Sequence, residues 1–265
     1  MTGQTPLDLA HAAADAAPQS DAARLQFYAR LADGELYVLL AQEVVGTGAI
    51  EPRVFPLADG PVVLAFDTEA RLAGFSGGVA PYAALPGRVL AAQLKGQGIG
   101  LGVNLGVAPS SMLLPPEALE WLAMALDSPP EPVEARPRLF HAPTGLPDAL
   151  IAALDAKLAR AGALASGALL AGVTYEGGRR GHMLAFLDVL AGAETALAQA
   201  ASEALVFSGI EAGEMDVAFL ASDGPGTQSM ARVALRFDLP ASEAPAQAAA
   251  RPAPGMDPAR PPKLR

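Results

Sequence analysis

Few residues in this chain are of types that catalyse reactions or bind ligands. The most conspicuous candidate segment is a glycine-rich run at 96–106, GQGIGLGVNLG. Such runs bind phosphate when they form the turn between a strand and a following helix. Here the glycines follow a predicted helix instead. Val103 stands where a GxGxxG pattern would need its last glycine, and no Gly-Lys-Ser/Thr follows. The spacing therefore excludes a phosphate-binding loop.

The alternation of residues in this run predicts a β-strand. Its apolar side chains occupy every second position and form one face: Ile99, Leu101, Val103 and Leu105. The other face carries Gly100, Gly102 and Asn104. Glycine in a strand often marks a place where another group approaches the backbone closely. We expect a packed helix there; the alternative is a ligand bound near Gly98–Gly102 and Asn104.

Candidate nucleophiles and acid–base residues lack the partners that catalysis needs. Ser110 and Ser111 follow the strand in a loop, but no G-x-S-x-G motif or matched histidine accompanies them. Turn or capping roles are expected for both, with Ser110 kept as a candidate binding residue. The carboxylates at 211–216 are typical of a solvated loop leading into a strand, so no catalytic residue is predicted.

Metal and redox chemistry are also disfavoured. The chain has no cysteine, which excludes disulfides, thiolate nucleophiles and cysteine-ligated metals. Its three histidines, His11, His141 and His182, are far apart and form no HxxxH pair. We therefore predict neither a metal site nor a cofactor.

The remaining candidate binding residues are basic or aromatic. Arg179 and Arg180 lie in EGGRRGH, a local basic feature that could contact a phosphate or an acidic partner, or form a solvated hairpin tip. Arg88 begins a predicted helix. Trp121 lies beside the apolar stripe of its helix, where it flanks the core or serves as an interface anchor.

Composition narrows the partner and the location. A formal net charge of −10 argues against nucleic acid, because phosphates require a positive surface. No apolar run approaches the roughly 18–20 residues of a membrane helix, so no membrane association is expected. The N-terminus has no basic segment typical of a signal peptide, which favours the cytoplasm.

The organisation of the chain predicts an α/β (α+β) protein with two mixed domains, each a small sheet packed with helices. A proline cluster at 128–138 predicts a linker between domains at 21–127 and 139–239. Residues 1–20 form an N-terminal extension. The Pro/Ala-rich and mildly basic segment 240–265 is predicted to be a disordered tail.

Hydrophobic periodicity and capping residues predict the individual elements. Helices are expected after a cap at Asp21, from 68 to 72, from Pro86 to 95, from Pro115, at 146–158 and at 193–206. Val89, Leu90 and Leu94 are expected to face the core. Strands are expected at 35–41, 52–57, 61–67, 214–220 and 230–239, with a hairpin formed by ALLAGVTYE and HMLAFLD.

Several motifs in a fixed order resemble the SseB (enhanced serine sensitivity protein B) family of bacterial proteins over residues 20–238. They are FYARLADGELYVLL, FPLADGPVVLAFDTEARLAGF, the Arg88 helix, the strand ending at Asn104, MLLPPEALEWL and, later, DVAFL. Members often have proline after the asparagine, where this chain has Leu105. The resemblance implies no catalytic residue.

These observations favour a non-catalytic binding or regulatory module that acts through contacts with another protein. The alternative is a small-molecule sensor or enzyme with a site near the glycine strand. A third hypothesis is self-association, with a homodimer as the product.

Overall fold

The structure, a computed structural model, describes residues 3–43, 50–127, 136–162, 164–209 and 215–239. These ranges contain eight helices and eleven strands, and the strands form two mixed sheets. This confirms the predicted α/β class. The predicted tail at 240–265 and residues 128–135 of the predicted linker lie outside them. In the part of the chain that the structure describes, no helix is long and apolar enough to cross a membrane.

The first half, residues 3–127, contains a six-stranded sheet. Its helices are α1 (Pro6–Ala16), α2 (Asp21–Asp33), α3 (Glu69–Ser76), α4 (Gly87–Leu94) and α5 (Pro116–Leu126). Its strands are β1 (Glu35–Leu39), β2 (Val54–Leu57), β3 (Gly60–Phe66), β4 (Tyr82–Pro86), β5 (Gly100–Val103) and β6 (Met112–Leu114). The order is β4-β1-β3-β5-β6, with β2 paired to β3. All pairs are antiparallel except β3 with β5.

Alternation along β3 sends side chains into two apolar layers on opposite faces of this sheet. Val63 and Ala65 join the main core beneath α1, α2, α4 and α5, together with Phe27 and Leu119. Residues such as Phe66 lie on the opposite face, which α3 covers. The main core therefore lies between the sheet and four helices.

The second half, residues 136–239, contains a five-stranded sheet. Its helices are α6 (Asp148–Leu158), α7 (Glu194–Val206) and α8 (Pro225–Ala231). Its strands are β7 (Pro137–His141), β8 (Gly167–Tyr175), β9 (Arg180–Leu187), β10 (Met215–Leu220) and β11 (Leu235–Phe237). The order is β10-β9-β8-β11, with β7 also paired to β8 and only β10 running parallel to its neighbour. Helices α6 and α7 cover one face, and Met230 of α8 packs on the other.

The N-terminal segment set apart as an extension forms a helix that joins the first core. Thr5 and Asp8 cap the start of α1 reciprocally, and Leu7 lies in the main core. Helix α2 is capped by Ser20 rather than by Asp21, because the Ser20 side chain accepts a hydrogen bond from the Ala23 amide at 3.2 Å.

Two further sequence predictions were wrong in detail. The strand expected at 230–239 is confined to Leu235–Phe237, because α8 begins at Pro225, a favoured first helical residue, and continues to Ala231. Val89 is 39% exposed rather than buried. The buried face of α4 is formed by Leu90, Ala91 and Leu94.

Helices from both halves pack together and join the two cores. Phe207, directly after α7, is buried in the main core of the first half. Its carbonyl accepts a hydrogen bond from the side-chain nitrogen of Gln26 at 3.0 Å. Its ring meets the Trp121 ring edge-to-face, with 6.2 Å between the ring centres. Gln199 of α7 donates to the Leu126 carbonyl at 2.7 Å. The two halves therefore share packing through Phe207.

Phe207→Ala is expected to lower the free energy of unfolding by about 3–5 kcal/mol, because it leaves a cavity between the two halves. Urea denaturation followed by fluorescence of Trp121, the single tryptophan, measures this at the junction itself. Phe75→Ala is the control, since Phe75 is 38% exposed on α3. Equal losses in the two variants would contradict a shared core.

Candidate functional site

The polar centre of the junction is built around Arg88 at the start of α4. The start of α4 comes very close to the end of α2. A Cβ at Gly87 would lie only 1.9 Å from the Leu31 carbonyl oxygen. The Gly87 amide donates to the Gly34 carbonyl at 2.9 Å. This close approach, which only glycine permits, places Arg88 beside Asp33 at the end of α2.

Asp33, Arg88, Lys157 and Glu203 form an ion network, here called the junction network. Arg88 donates to Asp33 at 2.6 Å and to Glu203 at 3.0 Å. Lys157 donates to Asp33 at 2.8 Å and to Glu203 at 2.6 Å. The four residues come from α2, α4, α6 and α7, so each ion pair between Asp33 and Lys157 or between Arg88 and Glu203 links the two halves.

Both carboxylates of the junction network are held in their charged form. Burial alone would raise the pKa of Asp33, but hydrogen bonds from Lys157 and Arg88 hold that pKa below its usual value. Burial acts in the same way on Glu203, whose pKa is lowered by hydrogen bonds from Arg88 and Lys157. A buried ion pair of this kind stabilises little overall, yet the loss of one partner costs about 3–5 kcal/mol.

Two surface depressions meet at Arg88. The junction cleft, about 370 Å³, lies between the halves and is bounded by the junction network, Arg160 and the apolar residues Ala161, Leu164, Leu197 and Ala200. The α4/α5 groove, about 480 Å³, lies within the first half. Its lining residues are Arg88, Val89, Ala92, Gln93, Lys95, Ala123, Leu126 and Asp127.

The α4/α5 groove combines an apolar floor with a charged rim. Val89 and Ala92 are exposed on α4, and Leu126 is half-buried on α5. Lys95 and Asp127 are exposed at the rim. An apolar centre with a polar rim is the usual anatomy of a protein interface. Sequence analysis singled out Arg88 but missed the groove, since its two helices are separated by two strands.

The space beside the glycine strand is filled by the protein. A Cβ at Gly100 would lie 2.7 Å from the Leu114 carbonyl oxygen, and one at Gly102 would lie 2.6 Å from the side chains of Leu64 and Leu105. The prediction that a helix packs against these glycines was therefore wrong. Neighbouring strands and Leu105 pack there. Leu105 lies on this face because Asn104 has a φ of 51°, which ends the alternation.

Asn104 and Ser110 are brought together but are fully buried. The Asn104 amide nitrogen donates to the Ser110 hydroxyl oxygen at 2.9 Å, and the Asn104 side-chain oxygen accepts from the Asp67 amide at 3.1 Å. The Ser110 hydroxyl donates to Asp8 at 2.6 Å. Both side chains use their polar atoms inside the protein, so they face no ligand space in this structure.

These residues belong to a buried polar cluster, here called the α1 network, which also contains Asp8, Asp67 and Arg71. Arg71 donates to Asp67 at 2.7 Å and also pairs with Asp8. Burial alone would raise the pKa of Asp8, but hydrogen bonds from Arg71 and Ser110 lower it. Sequence analysis missed this cluster because α1 lies about sixty positions from α3; its local signals were the Thr5–Asp8 capping box and the i,i+4 spacing of Asp67 and Arg71.

The two arginines of the β8–β9 turn have different surroundings. Arg179 pairs with Asp216 at 2.8 Å, and its guanidinium lies 4.1 Å from the centre of the Tyr175 ring. Arg180 is exposed at the start of β9. Arg179 is thus engaged at the sheet edge, which fits a charged hairpin tip.

Two histidines that are distant in sequence flank one glycine in the second sheet. His141 and His182 are the register partners of Gly172 on either side. A Cβ at Gly172 would lie 2.1 Å from the His141 ring, so the glycine makes room for an imidazole. His182 contacts the Thr144 carbonyl at 3.1 Å. In the described ranges no group of three or more His, Cys, Asp or Glu is arranged to hold a metal ion.

Trp121 flanks the core, with 39% of its surface exposed. Its ring meets Tyr28 edge-to-face at 5.2 Å and also contacts Phe207. Trp121 therefore contributes to the junction of the halves, on α5.

Comparison with known proteins identifies the first half. Residues 8–121 match the family model described as the SseB protein N-terminal domain. No curated protein and no solved structure matches the chain. The match confirms the resemblance over these residues, and the resemblance of the second half stays a prediction.

Arg71→Leu is expected to lower the free energy of unfolding by about 3–5 kcal/mol, because it leaves the buried carboxylates of Asp8 and Asp67 without a cation. Arg24→Leu is the matched control, since Arg24 is 62% exposed in its pair with Asp21. That surface pair should contribute about 1 kcal/mol or less. Urea denaturation measures both, and similar losses would contradict a stabilising role for the α1 network.

Acid is expected to destabilise the protein through the junction network. Because the pKa of Asp33 and that of Glu203 are lowered on folding, their contribution is complete above the unfolded-state values of about 4 and is lost as the pH falls through the folded-state values. Asp33→Asn should reduce the decline in unfolding free energy below about pH 5. Asp155→Asn, at an exposed position on α6, should leave it unchanged. A decline equally steep in all three proteins would contradict this account.

Proposed function

We propose that this chain, whose residues 8–121 match the SseB protein N-terminal domain model, acts as a non-catalytic binding module through contacts with another protein. A cytoplasmic location is part of this proposal. The observation that carries it is the α4/α5 groove, with Val89 and Ala92 exposed along its apolar floor.

The shape and charge of the groove favour one class of partner, an amphipathic helix with acidic residues beside its apolar face. Grooves between two helices commonly bind such a helix by its apolar face. At the rim, Lys95 is exposed and takes part in none of the ion pairs among the described residues, whereas Arg88 is already paired with Asp33 and Glu203. An acidic side chain of the partner beside Lys95 would pair with this cation.

The hypothesis of a sensor or enzyme site beside the glycine strand gains no support from the described residues. Its proposed site beside Gly100 and Gly102 is occupied by leucine side chains and a backbone carbonyl. Asn104 and Ser110 are fully buried and hydrogen-bonded to each other. Ser110 donates to the carboxylate of Asp8, whose lowered pKa keeps it charged. No histidine base is among the described partners of Ser110.

Ala92→Trp is expected to abolish partner binding, because the indole would fill the floor of the α4/α5 groove. The partner is first isolated with the tagged wild-type chain from a lysate of its own cells, then purified and titrated against each variant. Ala12→Trp is the matched control, since Ala12 is also exposed on a helix.

Charge supplies a second comparison. Lys95→Glu should weaken binding of an acidic partner, and the weakening should diminish at high salt, because screening reduces the electrostatic attraction. Equal affinity of the Ala92→Trp and Ala12→Trp variants for the partner would overturn the groove as the binding surface. A second copy of this chain as the isolated partner would identify self-association instead.

A further inference from the structure

The junction cleft has the size and position of a small-molecule site. Its volume of about 370 Å³ lies within the usual range for ligand pockets, roughly 300–1,000 Å³. It is formed by residues from both halves, and boundaries between packed units are a common place for such pockets. It is separate from the α4/α5 groove, with which it shares Arg88.

The charged side chains that line the cleft sum to a net charge of +1. Arg88, Lys157 and Arg160 face the two carboxylates of Asp33 and Glu203. Both carboxylates are already shared between cations: Asp33 contacts Arg88, Lys157 and Arg160, and Glu203 contacts Arg88 and Lys157. A ligand with a single negative charge would balance the cleft, whereas a dianion would exceed this balance.

Arg160 has hydrogen-bond donors to spare for such a ligand. Within the described residues its contacts run through one terminal nitrogen, Nη1, to the Asp33 carbonyl at 3.1 Å and the Asp33 carboxylate at 3.4 Å. A guanidinium carries five N–H donors, and two parallel donors suit a carboxylate. The Arg160 side chain is 54% exposed, so a ligand can reach it.

Part of the cleft lining is apolar. Ala161, Leu164, Ala196, Leu197 and Ala200 line it with aliphatic groups. These residues offer contact to methylene and methyl groups and no charge of their own. The combination of a net positive charge and a methyl-rich part of the lining favours a ligand with a negatively charged end and a short aliphatic body.

We propose that the junction cleft binds a small organic monoanion, a carboxylate with a short aliphatic chain, whose charged end lies against Arg160 and whose chain lies against α7. Arg160 is the principal anion-binding residue because its guanidinium is the more exposed; 40% of the Arg88 side chain is exposed. This inference is independent of the partner groove.

NMR titration of the full-length chain with butyrate tests the site directly. Saturable shifts are expected for backbone amides of residues 160, 161, 164 and 196–200. Butylamine, which has the same chain and the opposite charge, should give none, and inorganic phosphate should bind more weakly than butyrate.

Arg160→Gln is expected to weaken butyrate binding by about tenfold or more, which corresponds to about 1.4 kcal/mol. Arg236→Gln is the matched control, since Arg236 is 63% exposed and pairs with one carboxylate, Asp238, at 2.8 Å. Ala196→Leu, at an exposed position of α7, should also reduce binding by obstructing the cleft, whereas Ala12→Leu should not.

Three results would overturn the proposal. They are the absence of saturable butyrate shifts in the wild-type chain, equal affinities of the Arg160→Gln and Arg236→Gln variants, and phosphate binding as tight as that of butyrate. Because the readout is ligand binding and not partner binding, failure here leaves the proposed function to its own test.

Discussion

The junction network is the interaction on which the arrangement of the two halves depends. Each of its carboxylates contacts both Arg88 and Lys157, and the four side chains come from four different helices. A displacement of one helix would separate opposite charges, of which Asp33, Lys157 and Glu203 are largely buried. The network therefore adds ion pairs of defined geometry to the packing of α2, α4, α6 and α7.

Apolar packing and charge have different roles at the junction. Phe207 supplies buried area, and its contacts with Trp121 are adaptable because aromatic rings pack in several geometries. The ion pairs require defined distances and directions and contribute less net free energy. Phe207 thus supplies apolar contact between the halves, while Arg88, at the boundary of both surface depressions, supplies an ion pair between them.

Local sequence patterns predicted most elements because hydrophobic periodicity and capping residues are properties of each segment by itself. Strands such as β3 and the β8–β9 hairpin carry continuous β-type apolar runs, and α4 and α5 begin at prolines or just after them. The alternation of apolar and polar residues at 230–239 led to the wrong prediction of one long strand. The same alternation is found where the end of α8 is followed by a short strand. The α1 network and the pair His141 and His182 depend on contacts between distant positions, which no local pattern contains.

Glycine illustrates where sequence inference stops. In the glycine strand the sequence correctly indicated a close approach, but leucine side chains and not the expected helix lie beside Gly102. Gly87 and Gly172, for which no close approach was predicted, meet the Leu31 carbonyl and an imidazole. The residue type reports only that a Cβ would not fit, and the cause lies on another strand or helix. At Gly102 that cause is Leu105, which reaches the glycine face because Asn104 adopts a left-handed conformation. The same glycines that suggest a ligand site in the sequence are therefore explained by packing of the chain against itself, and the accessible clefts lie instead on either side of Arg88.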